Sequence, residues 1–343
     1  MKFKKIYSFL LALGAISAIS CERLDDEPEL PSNPISRLYV SLLEVQLDET
    51  KDPYQNLVVI DPSDSPNPNI LYFNSSMNGG GSVLFDPVDG RIFQASTQDS
   101  SIQIMSVSEI GIPSQTGRIS SGPLTGIRDV QYDATHKYLF VTNTLSPSGL
   151  YIFDKPLNRN GVIPPYRKYE LGGDRPWGMH HWNDSLLLMT VGGENSTLRL
   201  YTQLRNNIEN DQIVDLTPKF QVTLAFGTGL RGMDYSPKLD VLAIADVENS
   251  RILIFENVRA KLQSSSNIGE ADRVIQGALT LLSSPIDVAI DDRENSLKVY
   301  AADRLSKSVH RYDLESNGNT APEQSFKFNL TPESIFLDAR GIK

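Results

Sequence analysis

One pattern recurs along the chain from Arg37 onward and limits the fold more than any other feature. It is an apolar strand closing on an acidic or polar residue, a turn, a second strand, a polar turn and a third strand. Five copies can be laid side by side. The first runs Ser82 to Asp86, Arg91 to Ala95 and Ile102 to Met105, and the second Asp129 to Asp133, Tyr138 to Asn143 and Leu150 to Asp154. A weaker third runs Gly178 to Trp182, Leu186 to Thr190 and Leu198 to Tyr201. A fourth runs Gly232 to Ser236, Val241 to Asp246 and Ile252 to Phe255, and the clearest, the fifth, Asp287 to Asp291, Leu297 to Asp303 and Val309 to Asp313. Further strand-like pieces, Tyr166 to Glu170, Phe220 to Leu224 and Arg273 to Gln276, supply a fourth strand per unit.

Units of four strands that cannot bury their own faces stack around an axis. The residues closing the first strands, at 86, 133, 182, 236, 291 and 338, are spaced 47, 49, 54, 55 and 47 apart, which divides residues 37 to 343 into six units. The sixth is split. Leu38 to Leu42, Leu57 to Asp61 and Ile70 to Phe73 lack a preceding anchored strand, and Ser334 to Asp338 is such a strand standing alone. The expected fold is all-β: a six-bladed β-propeller of four-stranded antiparallel blades, closed by pairing of the C-terminal strand with N-terminal strands, which removes exposed sheet edges. A seven-bladed ring with one degenerate blade and a β-sandwich are the alternatives, and the split unit argues against the sandwich.

Ser284 to Asp291, followed by Val299 to Asp303 and Val309 to Asp313, with Val241 to Asp246 repeating the signature, resembles the NHL-repeat family of six-bladed propellers. TolB-like, lactonase-like and YVTN-type propellers share this strand grammar, so the resemblance implies fold more than function. Two departures stand out: Trp182 replaces the closing acidic residue of the third unit, and the split unit carries an insertion around Asp48 to Tyr54.

Ahead of the repeats, Lys2, Lys4 and Lys5 precede an apolar stretch from Ile6 to Ile16, too short to span a bilayer comfortably, so residues 1 to 20 read as a secretion signal. Ser17 to Ser20 ahead of Cys21, the only cysteine, resembles the lipobox of bacterial lipoproteins, which implies lipidation at Cys21. An ordinary signal peptide with an incidental cysteine is the plainer reading. Residues 21 to 36, with three prolines and a cluster of acidic residues, read as a tether, and residues 37 to 343 as the propeller domain. Acidic residues so close to the cysteine resemble outer-membrane export signals of Gram-negative lipoproteins, or are simply a solvated charge run. The expected location is therefore the outer membrane, lipid-anchored, periplasmic or surface-exposed.

Net charge is −10, and −13 once residues 1 to 20 and their three lysines are removed, which argues against nucleic acid as a partner. The Asp residues that recur at strand ends, Asp86, Asp133, Asp291 and Asp338, and those closing second strands, Asn143, Asp246 and Asp303, read as turn-formers satisfying backbone amides. Gly227 to Gly232 formally matches GxGxxG, yet a strand rather than a helix follows, so it reads as a connecting turn. No GxSxG elbow occurs. His180 and His181 are adjacent and point to opposite faces of a strand, one expected in the core and one exposed.

In a propeller the innermost strand descends from the rim to which the second strand returns, so strand-one starts line the mouth beside the loops after strand two. Arg128, Asp129, Trp177, Arg231, Asp287 and Glu333 fall there. Arg128, Trp177 and Arg231 form the candidate ligand-binding set for a carboxylated, sugar-like or peptide ligand, the arginines giving bidentate contacts and the indole a stacking surface. The plainer reading pairs these charges with one another around a watery channel. A third takes Asp129, Asp287 and Glu333 as oxygen ligands for calcium, by resemblance to gluconolactonase-like propellers, although no Asn stands at a matching strand start. The functional expectation is a membrane-anchored propeller recognising a glycan, peptide or protein at its rim without catalysis. The alternatives are a calcium-dependent lactonase-type hydrolase and a scaffold subunit of an envelope complex, the last expected to show a broad apolar rim.

Overall fold

The computed structural model describes residues 34–45, 54–108, 110–264 and 266–341. Six antiparallel sheets of four main strands follow one another around a ring, and so the chain is a six-bladed β-propeller. The innermost strands are Pro332–Arg340 in blade I, Gly80–Asp86 in blade II, Ile127–Asp133 in blade III, Arg175–Trp182 in blade IV, Leu230–Ser236 in blade V and Pro285–Asp291 in blade VI. Blade I is the split one: Pro332–Arg340 pairs with Ile35–Leu42 from Ile35 opposite Arg340 to Leu42 opposite Pro332. The ring is closed as the repeats imply. Its first strand begins at Ile35. The signal segment, Cys21, nearly all of the tether and residues 46 to 53 of the blade I insertion lie outside the described residues.

Every blade lies between two others, so both faces of its inner strands are covered and the strands read as nearly continuous apolar runs. Alternation decides which neighbour each side chain meets. Leu38, Val40 and Leu42 pack with Ile286, Tyr300 and Val309 of blade VI, whereas Tyr39, with Leu57 and Val59, packs with Val83, Phe85 and Ile92 of blade II. Likewise Val241, Ala243 and Ala245 face blade VI, while Leu242 and Ile244 face blade IV. The buried apolar residues fall into six clusters, one at each blade interface.

The strand-end residues behave as turn-formers. Asp86 Oδ2 accepts the amide of Asp89 at 2.7 Å, Asp133 Oδ1 that of Thr135 at 2.8 Å, and Asp303 Oδ1 that of Ser306 at 2.9 Å, while Asp303 Oδ2 also holds the amides of Ser283 and Ser284 ahead of the inner strand at 2.6 and 2.7 Å. The strand Leu230–Ser236 follows the Gly227 to Gly232 segment, which is a connecting turn. Features that the repeats do not announce are the two-residue strand Gly161–Val162, added parallel to the outer strand of blade II, and the short helices Leu204–Glu209 and Val258–Ser264. Among the described residues no helix is long and apolar enough to cross a membrane.

Candidate functional site at the channel mouth

All six inner strands break register near their start, at equivalent positions. A bulge re-aims the side chains beside it. The first re-aimed position, taken around the ring from blade I, holds Glu333, Gly81, Arg128, Trp177, Arg231 and Ile286, and the second holds Ser334, Ser82, Asp129, Gly178, Gly232 and Asp287. The sequence-derived site residues thus split between two layers, the ligand-binding candidates and Glu333 in the upper and the two aspartates in the lower.

In the upper layer one guanidinium from each blade flanking blade IV lies over the Trp177 indole: Arg128 Cζ is 4.8 Å and Arg231 Cζ 4.4 Å from the ring centroid. These are cation–π contacts, so the indole that was expected to stack on a ligand instead positions the two cations. Arg128 Nε donates to Thr144 Oγ1 at 3.2 Å, and Arg231 Nη1 to the carbonyls of Thr228 and Leu230 at 2.6 and 2.8 Å. Burial lowers the pKa of both guanidiniums, and among the described residues neither forms an ion pair. No two of the six candidates form an ion pair with each other; Glu333 pairs with an arginine outside the set. Arg304, in the hairpin after the second strand of blade VI, grips Glu333 through Nε–Oε2 at 2.7 Å and Nη2–Oε1 at 2.5 Å. Arg304 was not singled out from sequence, yet it sits in a loop after a second strand, the very class of loop that borders the mouth.

The lower layer links blades. Asp129 Oδ2 accepts the amide of Met179 in blade IV at 2.7 Å while Oδ1 accepts Val130 N–H at 2.7 Å and the Ser82 hydroxyl of blade II at 3.1 Å. Asp287 Oδ2 accepts the Ser334 hydroxyl and Ile335 amide of blade I at 2.8 and 2.9 Å. Ser334 and Ser82 accept, at 3.2 Å each, the amides of Val83 and Val130 in the blades that follow them. Where glycine leaves no side chain in blades IV and V, Asp234 takes over: its Oδ1 meets His180 Nδ1 at 2.9 Å and its Oδ2 accepts the Ile290 amide at 2.8 Å. Every interface therefore carries a polar link around the channel. Glycine is required beside these links, because a Cβ on Gly232 would lie 2.0 Å from Asp287 Oδ1 and 2.7 Å from its Cα.

Both lower carboxylates lack a cationic partner, and burial pushes the pKa of Asp129 well up, helped by repulsion from Asp287, and that of Asp287 up to about 7. Burial likewise raises Glu333, opposed by Arg304. As a calcium site the set is poor: Asp129 and Asp287 already accept three hydrogen bonds each, and Glu333 is committed to Arg304. Among the described residues no group of three or more His, Cys, Asp or Glu side chains is placed to hold a metal. His180 and His181 depart from expectation, since neither is exposed. His180 lines the channel, and His181 stacks on Phe140 at 5.1 Å between ring centroids. Opposite faces of an inner strand meet opposite neighbouring blades, not core and solvent.

Beneath the Arg–Trp layer lies a cavity of about 20 Å³ bordered by Trp177, Arg128, Ile286 and Glu333, then one of about 60 Å³ bordered by Asp129, Gln131, His180, Asp234 and Asp287. The first holds about one water and the second a few. Neither cavity has room for more than water.

Fold and mouth together define a six-bladed propeller whose rim presents two guanidiniums over one indole. No protein-family model and no curated protein sequence matches the chain. Among solved structures it is similar to a putative 6-phosphogluconolactonase from Bacteroides fragilis, at 10% identity and a TM-score of 0.58 over 90% of this chain and 85% of the other. It is similar also to a periplasmic gluconolactonase from Pseudomonas aeruginosa, at 10% identity and a TM-score of 0.57 over 90% and 100%, and to a chain of a nidogen/laminin complex, at 13% and 0.57 over 88% and 98%. At such identities the likeness is one of fold, shared by lactonases and by a partner in a protein complex alike.

Proposed function

We propose that this protein is a lipid-anchored propeller of the outer membrane that binds an anionic ligand at its mouth without catalysis. One observation carries the reading: Arg128 and Arg231 are held on Trp177 with guanidinium N–H donors uncommitted and no carboxylate partner among the described residues. A guanidinium fork pre-positioned and partly desolvated is suited to recognising carboxylate or phosphate oxygens. The test is calorimetric titration of the protein with acetate, succinate, citrate and phosphate, alongside the double variant Arg128→Ala, Arg231→Ala. Each arginine supplies charge-assisted bonds worth about 1.5–3 kcal/mol, so binding should vanish from the double variant while its melting temperature stays near the parent's. Wild-type affinity in that variant overturns the reading. The anchor is tested separately: Cys21→Ser should abolish lipid labelling and membrane retention, because stable attachment needs more than one acyl chain or signal, and unchanged fractionation would count against it.

The second reading, a calcium-dependent lactone hydrolase, draws on the names of two structural neighbours. Turnover of gluconolactone that requires calcium and disappears with Asp129→Asn or Asp287→Asn would replace the binding proposal. The commitment of those carboxylates to backbone amides counts against it. A scaffold role would favour a broad apolar rim, and exposed apolar side chains do occur in the loops after second strands, at Leu145 and Leu305, and along the outer strand of blade I, at Ile70, Leu71 and Tyr72.

A further inference from the structure

Three guanidiniums border the mouth, and their states differ. Arg304 is neutralised by Glu333, whose carboxylate is only 8% exposed and accepts from Nε and Nη2 along one edge of the guanidinium. Arg128 donates one hydrogen bond, from Nε, and Arg231 donates from Nη1 alone, so both Nη groups of Arg128 and the Nε and Nη2 of Arg231 are uncommitted. Trp177 stands between them in the ring, and the distances of the two Cζ atoms from its centroid, 4.8 and 4.4 Å, limit their separation to 9.2 Å. The cavity below, of about 20 Å³, is too small for a ligand's anionic group, so such a group must be met at the level of the guanidiniums.

Two partly buried cations within that distance, neither in an ion pair among the described residues, call for two negative charges. Each fork matches the two oxygens of its own carboxylate. A third cation is present but spoken for. We infer that the mouth takes a compact dicarboxylate, one carboxylate on Arg128 and the other on Arg231, and that Glu333 is the specificity residue that withholds Arg304 from a third anionic group. This rests on the anion-binding reading above.

The experiment titrates the full-length protein and two variants with acetate, succinate, glutarate, citrate and phosphate by calorimetry. For the parent, succinate or glutarate should bind at least tenfold more tightly than acetate or phosphate. Glu333→Gln frees Arg304 and should raise the ratio of citrate to succinate affinity at least tenfold. Arg304→Met leaves the Glu333 carboxylate facing Arg128 and should weaken succinate at least tenfold. Phosphate or acetate binding the parent as tightly as the dicarboxylates overturns the ligand class. Binding with an unchanged citrate-to-succinate ratio in Glu333→Gln, or unchanged succinate affinity in Arg304→Met, overturns the role of Glu333 while leaving the anion site standing. No binding of any probe by the parent overturns the anion site and this inference together.

Discussion

Replacing Asp287 with Asn turns the buried carboxyl at the closing interface into a stability experiment. Asp287 accepts bonds from Val288, Ser334 and Ile335 but meets no cation, and burial pushes its pKa from 3.8 to about 7. In the unfolded chain an aspartate titrates near 3.9. The folded state therefore binds this proton more tightly than the unfolded state does, so the linked stabilisation is complete below about pH 4 and is lost as pH rises through about 7. A shift of about three units at 1.36 kcal/mol each amounts to about 4 kcal/mol, a large share of a typical total of about 5–15 kcal/mol. Asparagine cannot titrate, and its amide costs the variant a roughly pH-independent amount through poorer matching to the N–H donors. Because Asp129 feels the charge of Asp287, the comparison belongs in an Asp129→Asn background. Urea unfolding at intervals from pH 4.5 to 8.5 should show the stability of the Asp287 protein, relative to its Asn counterpart, falling by about 3 kcal/mol, most steeply between about pH 5 and 6.5 and levelling off above about pH 7. A difference that stays flat, or that grows with pH, would refute the argument that Asp287 is buried without a counter-charge.

Two further perturbations probe the ring. Deleting residues 332–343 removes the strand paired along Ile35–Leu42, with Ile335 at 5% exposure and the half-buried Phe336 and Leu337. The apolar loss alone is about 3–6 kcal/mol at roughly 1.5–3 kcal/mol per fully buried side chain, so no cooperative melt should remain, and melting at the parent temperature would show that this strand does not close the ring. Gly232→Ala forces a methyl against the Asp287 carboxylate and Cα. Such overpacking costs about 1–3 kcal/mol, to be read as a lower urea midpoint, and a midpoint equal to the parent's would mean the interface relaxes freely.

The blades were legible because their signals are local: alternation within a strand and an Asp at its end both act over a few residues, as when Asp133 accepts the amide of Thr135 and Asp303 that of Ser306. The split blade was legible for the same reason, since Ser334 to Asp338 repeats the anchored strand without its followers. The roles of Asp129 and Asp287 were not. Their partners, the amides of Met179 and Ile335, belong to the next blade, 50 and 48 residues away, and only the ring brings them together. Trp177 was placed at the mouth correctly, but its neighbours Arg128 and Arg231 come from different repeats, so the stack itself has no signature in any one of them. Arg304 was within reach of the repeat geometry, which already put the loops after second strands at the mouth. The two histidines were misjudged because a strand with both faces covered has no solvent side.

The closing strand has a practical consequence for anyone handling the protein. It runs nine residues from Pro332, next to Glu333 at the mouth, to Arg340, which pairs with Ile35. At about 3.3 Å per residue the two ends of that strand are about 26 Å apart at most. The ring is thus entered and left at the same place, on the side opposite Arg128 and Arg231. A sensor surface or fusion partner joined after Arg340 is separated from the guanidinium layer by the depth of the ring, so protein immobilised there should keep its mouth free for titration.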